Sequence, residues 1–372
     1  MCTVNAIGCT AYSPAGAARV ALAPQRQETP WPVYLGTPQH DASAAETLSA
    51  DPRPRWRTAI GRAVRGGPAV GEAIILVGTV DRQVALLDRA TGQVLWRTRL
   101  KGTLRGGPLL ERDRVYAATE ASPEGRVYAL QLKDGRELWS ARTGSIAASL
   151  ALDHDTLYAA TESGMVLRLA TADGKVAWRR RLPGAVRAPP VPTPGGVVVA
   201  TTADTLFLLD RATGEVRRRL ATAGAVLGGP ALGPGGTELY LGTTGGHLVA
   251  VALPQLSVTW DVDAGDAVFG APALTRDTVY ALTRNGTLWL VPRADAHRAR
   301  SLPLKIVATA GPTPLGRGVL VASVTGEVVL VDPASGSIGW RVQIDGPIEQ
   351  PPLVRGGELV VVGGRGDIHT YR

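Results

Sequence analysis

Six of the eight tryptophans, Trp56, Trp96, Trp139, Trp178, Trp260 and Trp340, stand 40, 43, 39, 82 and 80 residues apart. The two doubled gaps carry arginine at the intervening positions, Arg218 and Arg300, so the chain bears eight marks about 40 residues apart. A second ladder runs in register with the first. Pro68, Pro108, Pro190, Pro230, Pro272, Pro312 and Pro352 each fall 12 residues after a mark, and Leu150 takes the third slot one residue early. A chain with a fixed period of this length must stack or close copies of one small unit, because no single copy can bury its own apolar face.

Within each period the residues read as β. Val64, Leu104, Ile146, Val186, Val226, Val268, Ala308 and Ile348 stand four residues before the proline-type position, and small residues such as Gly66-Gly67 and Gly228-Gly229 follow them. Paired β-branched runs come next, for example LYLGT then HLVAV, with short turns between them such as Ser163-Gly164 and Asn285-Gly286. Such pairs suit two-residue hairpins. A further turn, such as ATG at 90–92 or ADG at 172–174, precedes the tryptophan. Four short strands per period, eight times over, predict an all-β, eight-bladed β-propeller of four-stranded antiparallel blades. The 45 glycines and 27 prolines suit such a turn-rich chain and argue against a helical bundle. Small residues relieve crowding where blades converge, and the indoles fill the wider outer gaps. Only three strands follow Pro352, so the outer strand of the last blade is expected from residues 53–60 around Trp56, which closes the ring. The domain reading is a tether over 1–52 and a propeller over 53–372.

The spacing in Pro108, Val115-Tyr116, Thr119, Leu130, Gly135 and Trp139, and in Pro272, Val279-Tyr280 and Thr283, resembles the repeat of pyrroloquinoline-quinone-type propellers. Trp31-Pro32, Gly36 and His40 resemble the short motif that precedes such propellers, so the resemblance covers about 31–372. A WD40 assignment fits less well, since the only Trp-Asp pair is Trp260-Asp261. The resemblance implies one of two roles. Quinoprotein dehydrogenases hold the quinone and calcium over the funnel with an Asp base, a Glu and an Asn, and commonly a vicinal disulfide. This chain has no adjacent cysteines, and asparagine occurs only at Asn5 and Asn285. The BamB-like group consists of compact eight-bladed lipoproteins that help assemble outer-membrane β-barrels. That group is the expected role: a monomeric, non-enzymatic protein-binding scaffold working with the barrel-assembly machinery on the periplasmic side of the outer membrane. A quinone- or small-molecule-binding dehydrogenase-like propeller and a generic cell-envelope scaffold are the alternatives.

The lipid anchor of that group would need a lipobox, which Ala6-Ile7-Gly8-Cys9 resembles, making Cys9 the candidate lipidation site. Only eight residues precede it, too few for a charged and apolar leader, so this reading places the true start upstream. Cys2 and Cys9 are the only cysteines, and no disulfide can tie the propeller body together.

One set of positions is a candidate surface. Three residues before each proline-type position stand Arg65, Arg105, Ala147, Arg187, Leu227, Phe269, Thr309 and Glu349. Alternation turns them away from the apolar ladder, toward the channel. Arg65, Arg105 and Arg187 would give half of that ring a positive field for a carboxylate or an acidic partner loop. The triplets Arg179-Arg180-Arg181 and Arg217-Arg218-Arg219 fall on outer strands. There they serve either an anionic partner or protection of the sheet edge. Net charge is +8, but four lysines and dispersed arginines interleaved with acids do not make a nucleic-acid groove. The five histidines lack HxxxH or HExxH spacing, and no GxSxG or P-loop pattern occurs. No catalytic residue, metal site or cofactor is expected.

Overall fold

The computed structural model describes residues 45–121 and 124–372, which form eight four-stranded antiparallel sheets. Cys9, the Trp31 to His40 motif and most of the expected tether lie outside the described residues. Blade 1 runs from Ala69–Val70 at the axis through Ile74–Gly78 and Gln83–Asp88 to the outer strand Val94–Arg99, and blades 2 to 7 repeat this order. Blade 8 takes Leu353–Arg355, Glu358–Gly363 and Asp367–Tyr371 from the C-terminus and Pro54–Ala59 as its outer strand. The expected closure is therefore present, with Trp56 paired to Thr370. No helix among the described residues is long and apolar enough to cross a membrane.

Both ladders have physical explanations. Near the axis, backbones approach so closely that a Cβ on Gly66 would sit 2.2 Å from the Gly107 nitrogen, and one on Gly270 2.3 Å from the Gly311 nitrogen. The apolar ladder is buried, with Leu104 and Val268 both 0% exposed. Its N–H groups tie six of the connectors back to the blade they leave, as in Leu104 N to Thr79 O at 3.3 Å and Val268 N to Thr243 O at 3.0 Å. At the rim, Trp56, Trp96, Trp139 and Trp178 each donate the indole N–H to a carbonyl of the next blade, at 3.0, 2.7, 3.0 and 3.0 Å. The glycine of that blade's ATG-type turn lies flat against the ring. A Cβ on Gly214 would meet Trp178 at 2.6 Å, and Gly214 itself has φ +71°. The turn glycine thus serves both the backbone conformation and the indole.

The hairpins between second and third strands correct one expectation. Thr283 pairs with Thr287, and Gly286 at φ +83° donates its N–H to Thr283 O at 3.0 Å. The loop therefore holds three residues and ends in a glycine bulge, the next commonest hairpin after the two-residue form. The buried Thr283 hydroxyl also accepts the Thr287 N–H at 3.0 Å, which fixes the wider loop.

The closing seam holds charges that the repeat does not announce. Glu358, 2% exposed, accepts from Arg55 of the N-terminal strand at 2.9 Å and from Arg89 of blade 1 at 2.8 Å. Buried Asp367 pairs with Arg57 at 2.8 Å and with the His369 ring at 2.7 Å. Before the outer strand begins, Leu48 packs on the core shared by blades 7 and 8, and Glu46 O accepts from Gly316 N at 3.1 Å.

Candidate funnel site

The eight positions three before the prolines all line one axial cavity of about 200 Å³. A second cavity of about 470 Å³ shares Arg65, Arg105, Ala147, Arg187 and Glu349 with it and adds Glu120 and Glu162, widening it into a mouth. The connectors carrying the arginines and the hairpins carrying Glu120 and Glu162 reach the same end of the ring.

The expected positive field is cancelled locally. Arg65 pairs with Glu349, Arg105 Nε lies 2.5 Å from Glu120, and Arg187 Nε lies 3.7 Å from Glu162. Glu349 belongs to the channel ladder, whereas Glu120 and Glu162 come from hairpins whose sequence varies between blades, so the ladder gave no sign of them. The arginine side chains are 44%, 56% and 56% exposed. At that exposure each pair contributes roughly 0–1 kcal/mol, and the guanidinium groups remain within reach of a partner. The other half of the ring is Leu227, Phe269 and Thr309, and the Thr309 hydroxyl is buried without a hydrogen-bond partner among the described residues. The mouth is therefore polarised into a half of paired charges and an apolar half.

Strongly shifted titrating groups often mark chemistry, but here they mark contacts between blades. Burial first, and then the Glu238 carboxylate accepting its proton at 2.6 Å, push the Tyr240 hydroxyl up to about 12. Arg293 of blade 6 donates to the Tyr240 oxygen at 2.9 Å and to Glu238 at 2.7 Å, locking blades 5 and 6 together. Burial works to raise Glu238, but the Tyr240 hydroxyl and Arg293 outweigh it and hold the carboxyl below its usual range. Tyr116 is likewise pushed up to about 12, by burial and then by the Glu111 charge.

A quinone and its metal do not fit these residues. Calcium takes 6–8 oxygens, and among the described residues no three of His, Cys, Asp or Glu gather to hold a metal. Glu120, Glu162 and Glu349 at the mouth are each committed to an arginine. His154, His247 and His369 each sit beside an aspartate of their own blade, at 2.8, 2.8 and 2.7 Å. The arginine triplets lie on the outer strands Val176–Arg181 and Val216–Ala221, away from the funnel.

The sequence pattern of the family described as outer membrane protein assembly factor BamB matches residues 44–149, 123–286 and 295–371. A protein of that name from Burkholderia pseudomallei is 25% identical over 85% of this chain and 87% of its own length. Its namesake from Nitrosomonas eutropha is 27% identical over 43% of this chain, a match spanning 41% of that relative. A lanthanide-dependent methanol dehydrogenase from Methylacidiphilum fumariolicum is 32% identical, but over 25% of this chain and 16% of the enzyme. Among solved structures, BamB from Moraxella catarrhalis superposes with TM-score 0.72 at 15% identity, covering 86% of this chain and 99% of that one. At that identity the superposition speaks for the fold alone.

Proposed function

The chain belongs to the outer membrane protein assembly factor BamB family, and from that premise we propose that it is a non-enzymatic, protein-binding scaffold of the cell envelope that assists assembly of outer-membrane β-barrel proteins. The observation that carries this reading is the extent of the likeness. The family pattern runs around the whole ring, and the Burkholderia relative aligns over most of both chains, whereas likeness to the dehydrogenase is confined to a quarter of this one. The partner is then the barrel-assembly machinery, met from the periplasmic side, and the polarised funnel mouth is the proposed contact. There Arg65, Arg105 and Arg187 can exchange their glutamates for acidic groups of the partner while Leu227 and Phe269 accept an apolar side chain.

The test is loss of the gene in its own host, with outer-membrane β-barrel content measured against inner-membrane proteins and the partners co-purified from the restored strain. Selective loss of β-barrel proteins and capture of the machinery are expected; unchanged barrel content with no capture would refute the reading. Arg65→Ala with Arg105→Ala should weaken capture while leaving Tm nearly unchanged, because the exposed ion pairs contribute little to folding. Partial likeness to a dehydrogenase makes a quinone the rival ligand. Pyrroloquinoline quinone with calcium or a lanthanide should leave Tm unmoved, since a real site filled at 100 Kd would add about 2.7 kcal/mol.

A further inference from the structure

The arginines of the funnel are paired, and so is Arg217 on the outer strand of blade 4, through Asp210, but among the described residues four others on the outer rim of blades 3 and 4 are not. Arg179 and Arg181 on Val176–Arg181, and Arg218 and Arg219 on Val216–Ala221, are exposed. Among the described residues none of the four has a carboxylate partner, and Arg218 donates only to the carbonyl of its neighbour Arg217, at 2.9 Å. Outer-strand arginines elsewhere are mostly tied down, as in Arg142 to Glu124 at 3.2 Å and Arg341 to Glu327 at 2.9 Å.

Arg218 occupies the slot that six blades give to tryptophan. The other exception, Arg300, takes over the indole's task, donating to Ala334 O in the next blade at 2.8 Å. Arg218 does not. Leu253 and Leu256 from the turn of blade 5 fill the gap instead, 6% and 4% exposed and clustered with Leu220. The packing duty of position 218 is thus discharged by other residues, and its charge is left facing solvent.

Among the described residues both strands are also free edges, each hydrogen-bonded on one side only. We propose that the outer edges of blades 3 and 4 form a docking rim for an extended acidic segment of a partner protein. Arg179 and Arg181 project from one face two residues apart, the same interval at which a docked strand repeats its side chains. Alternating carboxylates on that strand would meet guanidinium groups in the fork geometry arginine favours, while its backbone satisfies the open edge. A lipid surface fits poorly. Interfacial binding takes bulky apolar or aromatic groups, and Val216 is the one large apolar side chain exposed on these two strands. This rim is remote from the funnel, and its test does not depend on a role in barrel assembly.

The test titrates the full chain with three dye-labelled ten-residue peptides, alternating Glu-Thr, Gln-Thr and Glu-Pro, by fluorescence anisotropy. Glu-Thr should bind and weaken steeply as salt rises, and Gln-Thr should not bind. Glu-Pro keeps the charge but lacks the N–H on alternate residues, so it should bind at least fivefold more weakly. Arg179→Glu with Arg181→Glu, and separately Arg218→Glu with Arg219→Glu, should each weaken Glu-Thr at least tenfold with an unchanged circular dichroism spectrum and Tm. The proposal fails if these variants bind as the parent does, or if Glu-Pro matches Glu-Thr. It fails also if phosphatidylglycerol vesicles capture the parent more tightly than the peptide and lose it in the same variants.

Discussion

The interlock between outer-strand indole and next-blade glycine can be measured as a coupling energy. Trp178 is 9% exposed, donates to Arg211 O at 3.0 Å, and leaves no room for a Cβ on Gly214. Trp178→Ala removes a side chain that buries roughly 150–250 Å², and such truncations cost about 3–5 kcal/mol. Trp178→Phe keeps an aromatic ring in place but orphans the Arg211 carbonyl, a loss of roughly 1–2 kcal/mol. Gly214→Ala forces a left-handed alanine, about 1 kcal/mol, and drives its methyl into the indole, about another 1–3 kcal/mol. In the double variant the indole is gone and the clash goes with it, so only the backbone strain adds to the tryptophan loss. Equilibrium urea unfolding of the four proteins should therefore give a double variant about 1–3 kcal/mol more stable than additivity predicts. Additivity within about 0.5 kcal/mol would show that the indole is ordinary core and that the turn glycine serves the backbone alone.

Other expectations follow from single sites. Gly286→Ala places a methyl 2.1 Å from Ile306 O at φ +83°, so it should lower stability by about 2 kcal/mol or more, read by the urea midpoint. Glu358→Ala leaves Arg55 and buried Arg89 without their shared carboxylate, a loss of about 3–5 kcal/mol that should lower Tm far more than Glu120→Ala at the funnel. Glu238 is held below its usual range, so the stability it adds is complete above the unfolded value and is lost as pH falls through the lower folded one. Glu238→Gln should flatten the plot of Tm against pH on that acid side. Tyr116 titrates near 10 when unfolded and is pushed up to about 12 in the fold. The unfolded chain therefore binds fewer protons across that window, and stability falls as pH rises through it; Tyr116→Phe should reduce the fall, measured by urea unfolding at pH 9 to 12.

The sequence showed the periodic features of this molecule clearly and the aperiodic ones poorly. Blade number, the inner position of the glycines, the axial set from Arg65 to Glu349 and closure through Trp56 all follow from ladders that repeat, because each copy meets the same neighbours. The partners of Arg105 and Arg187 were hidden, since Glu120 and Glu162 sit in hairpins that share no residue pattern. The three-residue hairpin was hidden because Asn285-Gly286 suits both loop lengths, and the threonine hydroxyl that selects between them acts through space. The seam charges did leave a trace. Seven blades end the second strand with Thr or Ser, from Thr79 to Ser323, whereas blade 8 has Gly363 there. The Asp367 carboxylate fills the vacated space, 2.5 Å from where a Cβ on Gly363 would lie.

Departures from the repeat at Gly363 and at Arg218 have different physical meanings. At the seam, the exception is compensated within the fold: glycine admits a buried carboxylate, and Arg57 from the N-terminal strand neutralises it. Burying ions in this way is a weak source of net stability but a strong penalty on mispairing, because any other strand beside Asp367–Tyr371 would leave Asp367 without Arg57 and Glu358 without Arg55. Closure is thereby specified by charge as well as by hydrogen bonds, which matters in a ring whose eight edges are otherwise alike. At Arg218 the compensation is steric only, through Leu253 and Leu256, and the charge remains unanswered. A repeat position relieved of packing and still carrying an exposed, unpaired cation contributes nothing that the fold requires. Reverting it tests this directly: Arg218→Trp should gain no stability, since the gap is already filled, and should abolish its share of acidic-peptide binding. A gain of more than about 1 kcal/mol, near the net worth of one hydrogen bond, would mean that the slot still awaits its indole and that Arg218 is a packing defect.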